Sequence, residues 1–173
     1  MASGWMGEGM IGFQIEDMGA FTRKLFLEKD FDDFLLKEAT IVTFNRFTID
    51  GRLHRGFYSA QEQEQMEMNP YSLWSQVRPI CFSLIKGKRL PESFQITLEA
   101  PPKRLDAFLA ECRLQTDAGQ IKGLYLNIRY ENGRLQCITG TSLAVFTLDK
   151  SVEREWDEYV GRMLKNMGIA ASH

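Results

Sequence analysis

The sequence predicts an α+β protein built from two pseudo-symmetric β-α-β-β halves and closed by a C-terminal helix. Three observations carry that reading. "GLYLNIRYENGRLQCITGTS", residues 123–142, holds two alternating strands on either side of an Asn-Gly turn. "FTIDGRLHRGFYS" repeats the turn chemistry in the first third of the chain. Each is preceded by a strand carrying Phe-Gln-Ile that runs into a helix, "GFQIEDMGAF" in one case and "SFQITLEAPPKRLDAF" in the other. Phe13 stands 38 positions before Gly51, Phe94 stands 39 before Gly133, and both turns continue as Gly-Arg-Leu. A β-α-β-β unit leaves one sheet face and one helix stripe apolar, so two units can cover each other about a pseudo-twofold axis. Coincidence is the competing explanation, since Asp-Gly and Asn-Gly hairpins are common.

Residues 1–9 are small and Gly-rich, and are set aside as a disordered or vector-derived leader. Residues 10–173 form one domain: half one over 10–58, a connection over 59–91, half two over 92–149 and a C-terminal helix over 151–167. Ile11, Phe13 and Ile15 alternate as a strand, and Asp17 caps the helix that follows. Met18, Phe21 and Leu25 recur at helical spacing, as do Phe31, Phe34 and Leu35 after the charged break at "EKD", so one bent helix or two short ones fit. "ATIVTFNRFTID" is rich in β-branched and aromatic residues, but its phase breaks. Val42 and Phe44 share one face while Phe47 and Ile49 share the other, which means two buried faces or a bulge near Asn45-Arg46. Asp50-Gly51 is then expected to turn the hairpin.

"SAQEQEQMEMNPYS" is polar and acidic, an exposed helix or a connection. In "RPICFSLIKG", Pro79 is expected at the first position of a helix ending at Gly87; an edge strand is the alternative. "SFQITLEA" reads as a strand. Pro101-Pro102 open a helix with Leu105, Phe108, Leu109 and Cys112 on one stripe. "SLAVFTLD" reads as the last strand. Ser151 is expected to cap the final helix, whose buried stripe is Val152, Trp156, Val160, Met163 and Met167.

Two resemblances follow from quoted residues. "FNRFTIDGRLH", "RPICFSLIKGKRLP" and "LYLNIRYENGRLQCITGTSLAVFTLDKS" together resemble an uncharacterised protein family of clostridial-type Firmicutes. That resemblance implies a bacterial protein and brings no activity with it. "LYLNIRYENGRLQCITGTSLAVFTL" is similar to the strand pattern of bacterial DNA sliding clamps, with Thr139-Gly140-Thr141-Ser142-Leu143 at the clamp's Thr-Gly-Thr-Asp-Leu and Ser142 replacing its acid. The resemblance implies a DNA-clamp-like pairing of α/β halves. It covers about 25 residues strongly, and a shared fold would not carry function with it.

Chemistry-bearing motifs are sparse. Apolar residues make up 44% of the 173 and charged residues 25%, ordinary values for a globular chain. The formal charge of −2 argues against bulk attraction to nucleic acid while allowing a local basic face. Cys81, Cys112 and Cys137 form no CxxC and fit reduced, buried thiols of a cytoplasmic protein. His54 is the one internal histidine and alternates with Leu53, so it reads as a surface strand residue. Asp32-Asp33 and Glu62-Glu64 read as solvated surface, and no catalytic, metal or cofactor residue is singled out. Arg23 and Lys24 on the first helix, with Lys103 and Arg104 opening the helix of the second half, are the candidate nucleic-acid contacts, because the equivalent clamp helices face DNA. "KGKR" at 86–89 is a second basic cluster, without interleaved aromatics. The expected role is a non-catalytic binding or assembly module, acting on a partner protein, its own copy or, weakly, DNA, with no membrane span. An enzyme whose polar site forms only in three dimensions is the alternative.

Overall fold

The hairpin over residues 121–143 is the centre of the sheet because its turn and its alternation agree. The computed structural model describes residues 11–66 and 69–173, so the expected leader over 1–9 lies outside the described residues. Asn132 and Gly133 both take positive φ, 53° and 71°, the geometry a two-residue turn needs to match strand twist. They join β5 (Ile121–Glu131) to β6 (Arg134–Leu143). Around this pair the described residues form β1 (Gly12–Ile15), β2 (Leu35–Val42), β3 (Arg46–Asp50), β4 (Ser93–Glu99) and β7 (Ala171–Ser172). All seven lie in one antiparallel sheet of order β3-β2-β4-β5-β6-β1-β7. The helices are α1 (Met18–Phe26), α2 (Ala60–Gln65), α3 (Trp74–Ile85), α4 (Pro102–Glu111) and α5 (Ser151–Asn166). None of the described helices is long and apolar enough to cross a membrane.

Alternation sorts the sheet into two faces. Leu36, Ala39 and Ile41 of β2, Phe94, Ile96 and Leu98 of β4, and Leu124, Leu126 and Ile128 of β5 point into one core with the helices. Phe21 and Leu25 of α1, Trp74 and Cys81 of α3, Phe108 of α4 and Trp156 and Val160 of α5 close over them. Trp156 is fully buried. Its ring stacks on Tyr159 at 5.4 Å and meets Phe108 edge-on at 5.5 Å, while its indole N–H donates to the Tyr125 carbonyl at 3.1 Å. The opposite face is polar: Thr97 Oγ1 donates to Asn127 Oδ1 at 3.0 Å across β4 and β5.

Several expectations need correction. The hairpin of the first half does not turn at Asp50-Gly51. Val42 pairs with Arg46, and the Thr43 N–H donates to the Asn45 carbonyl at 2.9 Å, so the chain reverses through Thr43-Phe44-Asn45. The phase break in "ATIVTFNRFTID" is therefore the turn itself. Gly51 is needed for another reason: a Cβ there would lie 1.8 Å from the Leu36 carbonyl oxygen, so the position admits no side chain. "SLAVFTLD" is not a strand beyond Leu143; Val145, Phe146 and Leu148 stand exposed. Residues 79–85 are helical, but Pro79 sits inside α3, which begins at Trp74. Ser151 is the first helical residue of α5, and Asp149 Oδ1 accepts its N–H at 2.9 Å in place of a serine cap. The turns between α1 and β2 bury Phe31 and Phe34 without a second helix.

Pseudo-symmetric halves are not confirmed. In half two, β4, β5 and β6 lie side by side, whereas in half one β1 is separated from β2 by those three strands. The halves share element order but not strand neighbours.

Candidate functional site

Three clusters of functional side chains lie on the molecule, and two are closed by their own partners. The first sits where β2 bulges between Leu36 and Glu38. The Lys37 ammonium lies over two rings, 4.9 Å from the Tyr71 centroid and 5.3 Å from that of Tyr125, and the Arg52 guanidinium lies 5.6 Å from Tyr71. Tyr125 hydrogen-bonds to Glu99, and both pack over Gly123, where a Cβ would meet the Tyr125 hydroxyl at 2.2 Å. Burial pushes the Glu99 carboxyl above its usual range, with Lys37 and Tyr125 opposing it. Burial also raises Tyr125, with Glu99 adding to it. It works against the Lys37 charge, but Tyr125, Tyr71 and Glu99 outweigh it and the pKa rises. This group clasps the segment after α2 to the sheet, together with the Ser72 N–H to Gly51 carbonyl bond at 2.9 Å.

The second cluster contains two of the four cations expected to face DNA. Lys24 pairs with Glu28 at 3.3 Å and Asp30 at 3.6 Å. Arg104 forks onto both oxygens of Asp33 at 3.0 and 2.9 Å, reaches Tyr159 Oη at 3.4 Å and stacks 4.6 Å from the Phe34 centroid. The two line one cavity of 420 Å³ with Glu111, Tyr159 and Arg162. Arg23 and Lys103 are exposed and lie elsewhere. Asp32 and Asp33, which read as solvated surface, both have arginine partners: Arg78 of α3 takes Asp32 at 2.8 and 2.9 Å, as Arg104 of α4 takes Asp33. Pairs this far apart in sequence leave no local pattern to find.

The third cluster is open. The loop after α3 carries Lys86, Lys88 and Arg89, all exposed, with Leu90 81% exposed. It is anchored by the Glu92 N–H to Val42 carbonyl bond at 2.8 Å, which brings it beside the β2–β3 turn and Phe44, 87% exposed. These residues line a cavity of 640 Å³. It adjoins a second, of 350 Å³, that shares Ile85, Lys86 and Gly87 and extends past Leu27 to Arg23 of α1. Four cations and one carboxylate, Glu92, line the two together. Among the described residues none of the four cations makes an ion pair. The aromatic missing from the local sequence around "KGKR" is thus supplied from 42 residues upstream, which only the β2–β4 pairing could reveal.

The remaining reactive groups are placed quietly. Burial pushes the Cys81 and Cys137 thiols up to about 12, and Cys112 is half-buried with its thiol raised, first by burial. His54 is exposed, just before the turn at 55–57. Among the described residues no three His, Cys, Asp or Glu side chains are placed to hold a metal ion.

Neither the curated proteins nor the solved structures contain a match to this chain. One family model does match, over residues 24–171, and so spans every element from the end of α1 to β7. The chain therefore belongs to the family of unknown function designated DUF5721.

Proposed function

We propose that this is a non-catalytic binding or assembly module of the bacterial cytoplasm. The observation that carries the reading is exposure of large apolar side chains in groups. Phe44 and Leu90 are more than four-fifths exposed on one side of the cationic loop, and Phe146 and Leu148 likewise before α5. Grouped apolar exposure costs solubility unless something covers it, so it supports an interaction surface. The polar clusters point the same way. The carboxylate, phenol and ammonium at the β2 bulge hold one another, and the arginine-lined cavity is charge-compensated. Inert buried thiols fit a reducing compartment. A clamp-like role on DNA is the weaker form of the proposal, because Lys24 and Arg104 already neutralise carboxylates and are not free for phosphates. The alternative, an enzyme, would draw on the Lys37–Glu99–Tyr125 group.

The test is purification of the tagged chain from its source cell after brief cross-linking, with and without nuclease. A protein retained at fixed stoichiometry in both arms is the expected result. Monomeric chain with no retained protein, together with turnover lost on Glu99→Gln, would overturn it.

A further inference from the structure

We propose that the groove between α1, the loop after α3 and the β2–β3 turn receives an acidic segment of a partner protein, anchored by a bulky apolar side chain. The inference rests on the binding-module reading and specifies its partner chemistry. Charge complementarity is the first argument. The chain carries a net charge of −2, yet this groove gathers Arg23, Lys86, Lys88 and Arg89 against Glu92 alone. Unpaired cations on a shared rim raise the local potential and favour an anionic partner in orientation and on-rate. Shape is the second. Phe44, Leu90 and Leu27, 87%, 81% and 53% exposed, stand among those cations, so the surface offers apolar contact between charges.

Two other anionic occupants fit less well. Single-stranded nucleic acid needs several open rings along a basic track. Of the rings that line the groove Phe44 alone is exposed, and Phe47 meets it edge-on at 79°; Phe26 is buried and Phe82 is packed against the core, so the groove holds no track of open rings. A second copy could offer its exposed 144–149 segment. That segment carries one carboxylate, Asp149, with Lys150 directly after it, so it brings a single negative charge to four cations.

The experiment is selection of a displayed library of random short peptides on the full chain, then titration of the enriched peptides by fluorescence anisotropy. Two variants serve as counter-targets: the charge reversal Lys86→Glu/Lys88→Glu/Arg89→Glu and the apolar truncation Phe44→Ala/Leu90→Ala. All five positions are exposed, and circular dichroism checks that both variants fold. The expected result is enrichment of Asp and Glu around Leu, Phe or Trp, with binding weakened at least tenfold by either variant and weakened by salt. Overturning results are no enrichment, enriched peptides that bind both variants as well as the wild-type chain, tighter binding of an oligothymidylate that the charge reversal abolishes, or a dimer in sedimentation that the charge reversal dissolves. Retention of the cross-linked cellular partner by the charge-reversed chain would sink this groove while leaving the binding-module reading standing.

Discussion

Replacing Trp156 by alanine removes the largest side chain of α5 from a site with no solvent contact. Three interactions go with it: the stack on Tyr159, the edge contact with Phe108, and the indole N–H bond to the Tyr125 carbonyl. Truncating a buried tryptophan costs about 3–5 kcal/mol, because lost transfer energy and the residual cavity add. Trp156→Phe separates the parts. It keeps most of the ring and loses the donor, and the loss of one buried hydrogen bond costs roughly 0.5–1.5 kcal/mol. For a chain of this size each kcal/mol moves Tm by about 2–4 °C, so the alanine variant should melt roughly 6–20 °C lower. Urea unfolding followed by circular dichroism, with thermal melts alongside, measures both variants. A loss below about 1 kcal/mol for Trp156→Ala would refute the claim that α5 closes the core.

Other consequences follow from named contacts. Gly51→Ala forces a Cβ into the Leu36 carbonyl and should lower stability by about 1–3 kcal/mol, the usual cost of overpacking, whereas a mere turn glycine without that contact would cost less; a denaturant midpoint near wild type would contradict the close approach. Arg78→Ala should cost more than Lys24→Ala, since Arg78 holds Asp32 through two bonds with both side chains largely shielded, and equal losses would refute that ranking. Burial raises the pKa of Asp157, against the Thr139 hydroxyl that donates to it at 2.5 Å. The folded state then binds its proton more tightly than the unfolded state. Stability is greatest below the unfolded value near 3.8, falls as pH rises to the raised folded value, and is level above it. Asp157→Asn should flatten that fall in chemical denaturation, and an unchanged pH profile would contradict it. Of the three thiols, Cys112 should react first with a disulfide reagent in the native state, with Cys81 and Cys137 reacting only on unfolding.

What the chain discloses locally, it discloses well. The Asn132-Gly133 turn, the alternation of Leu124, Leu126 and Ile128, and the stripe of Val152, Trp156 and Val160 all rest on signals within one or two turns of chain, and the structure has them where the pattern places them. Asp50-Gly51 misleads because glycine serves two purposes: here it admits a carbonyl, not a positive φ. Residues 144–148 look like a strand because Val, Phe and Thr are strand formers, yet β6 ends at Leu143 and the segment beyond it stands largely exposed, with no strand among the described residues to pair with. Strand neighbours are not local, so matched element order suggested a symmetry that the placement of β1 beside β6 does not confirm. The candidate site depends on the same non-local pairing. Arg23, Phe44 and the 86–89 loop meet only through the packing of α1 on α3 and of β2 on β4. Of the four cations singled out on helices, Arg23 alone lies in the open groove.

Amide chemical-shift mapping of the isotopically labelled full chain, titrated with the tightest selected acidic peptide, tests the binding-module account most directly. The account predicts shifts confined to Arg23, Leu27, Phe44 and residues 85–92, saturating together with a single Kd that weakens with salt. Shifts centred instead on Lys37, Tyr71, Glu99 and Tyr125 would contradict it and turn attention to that polar cluster as the working site.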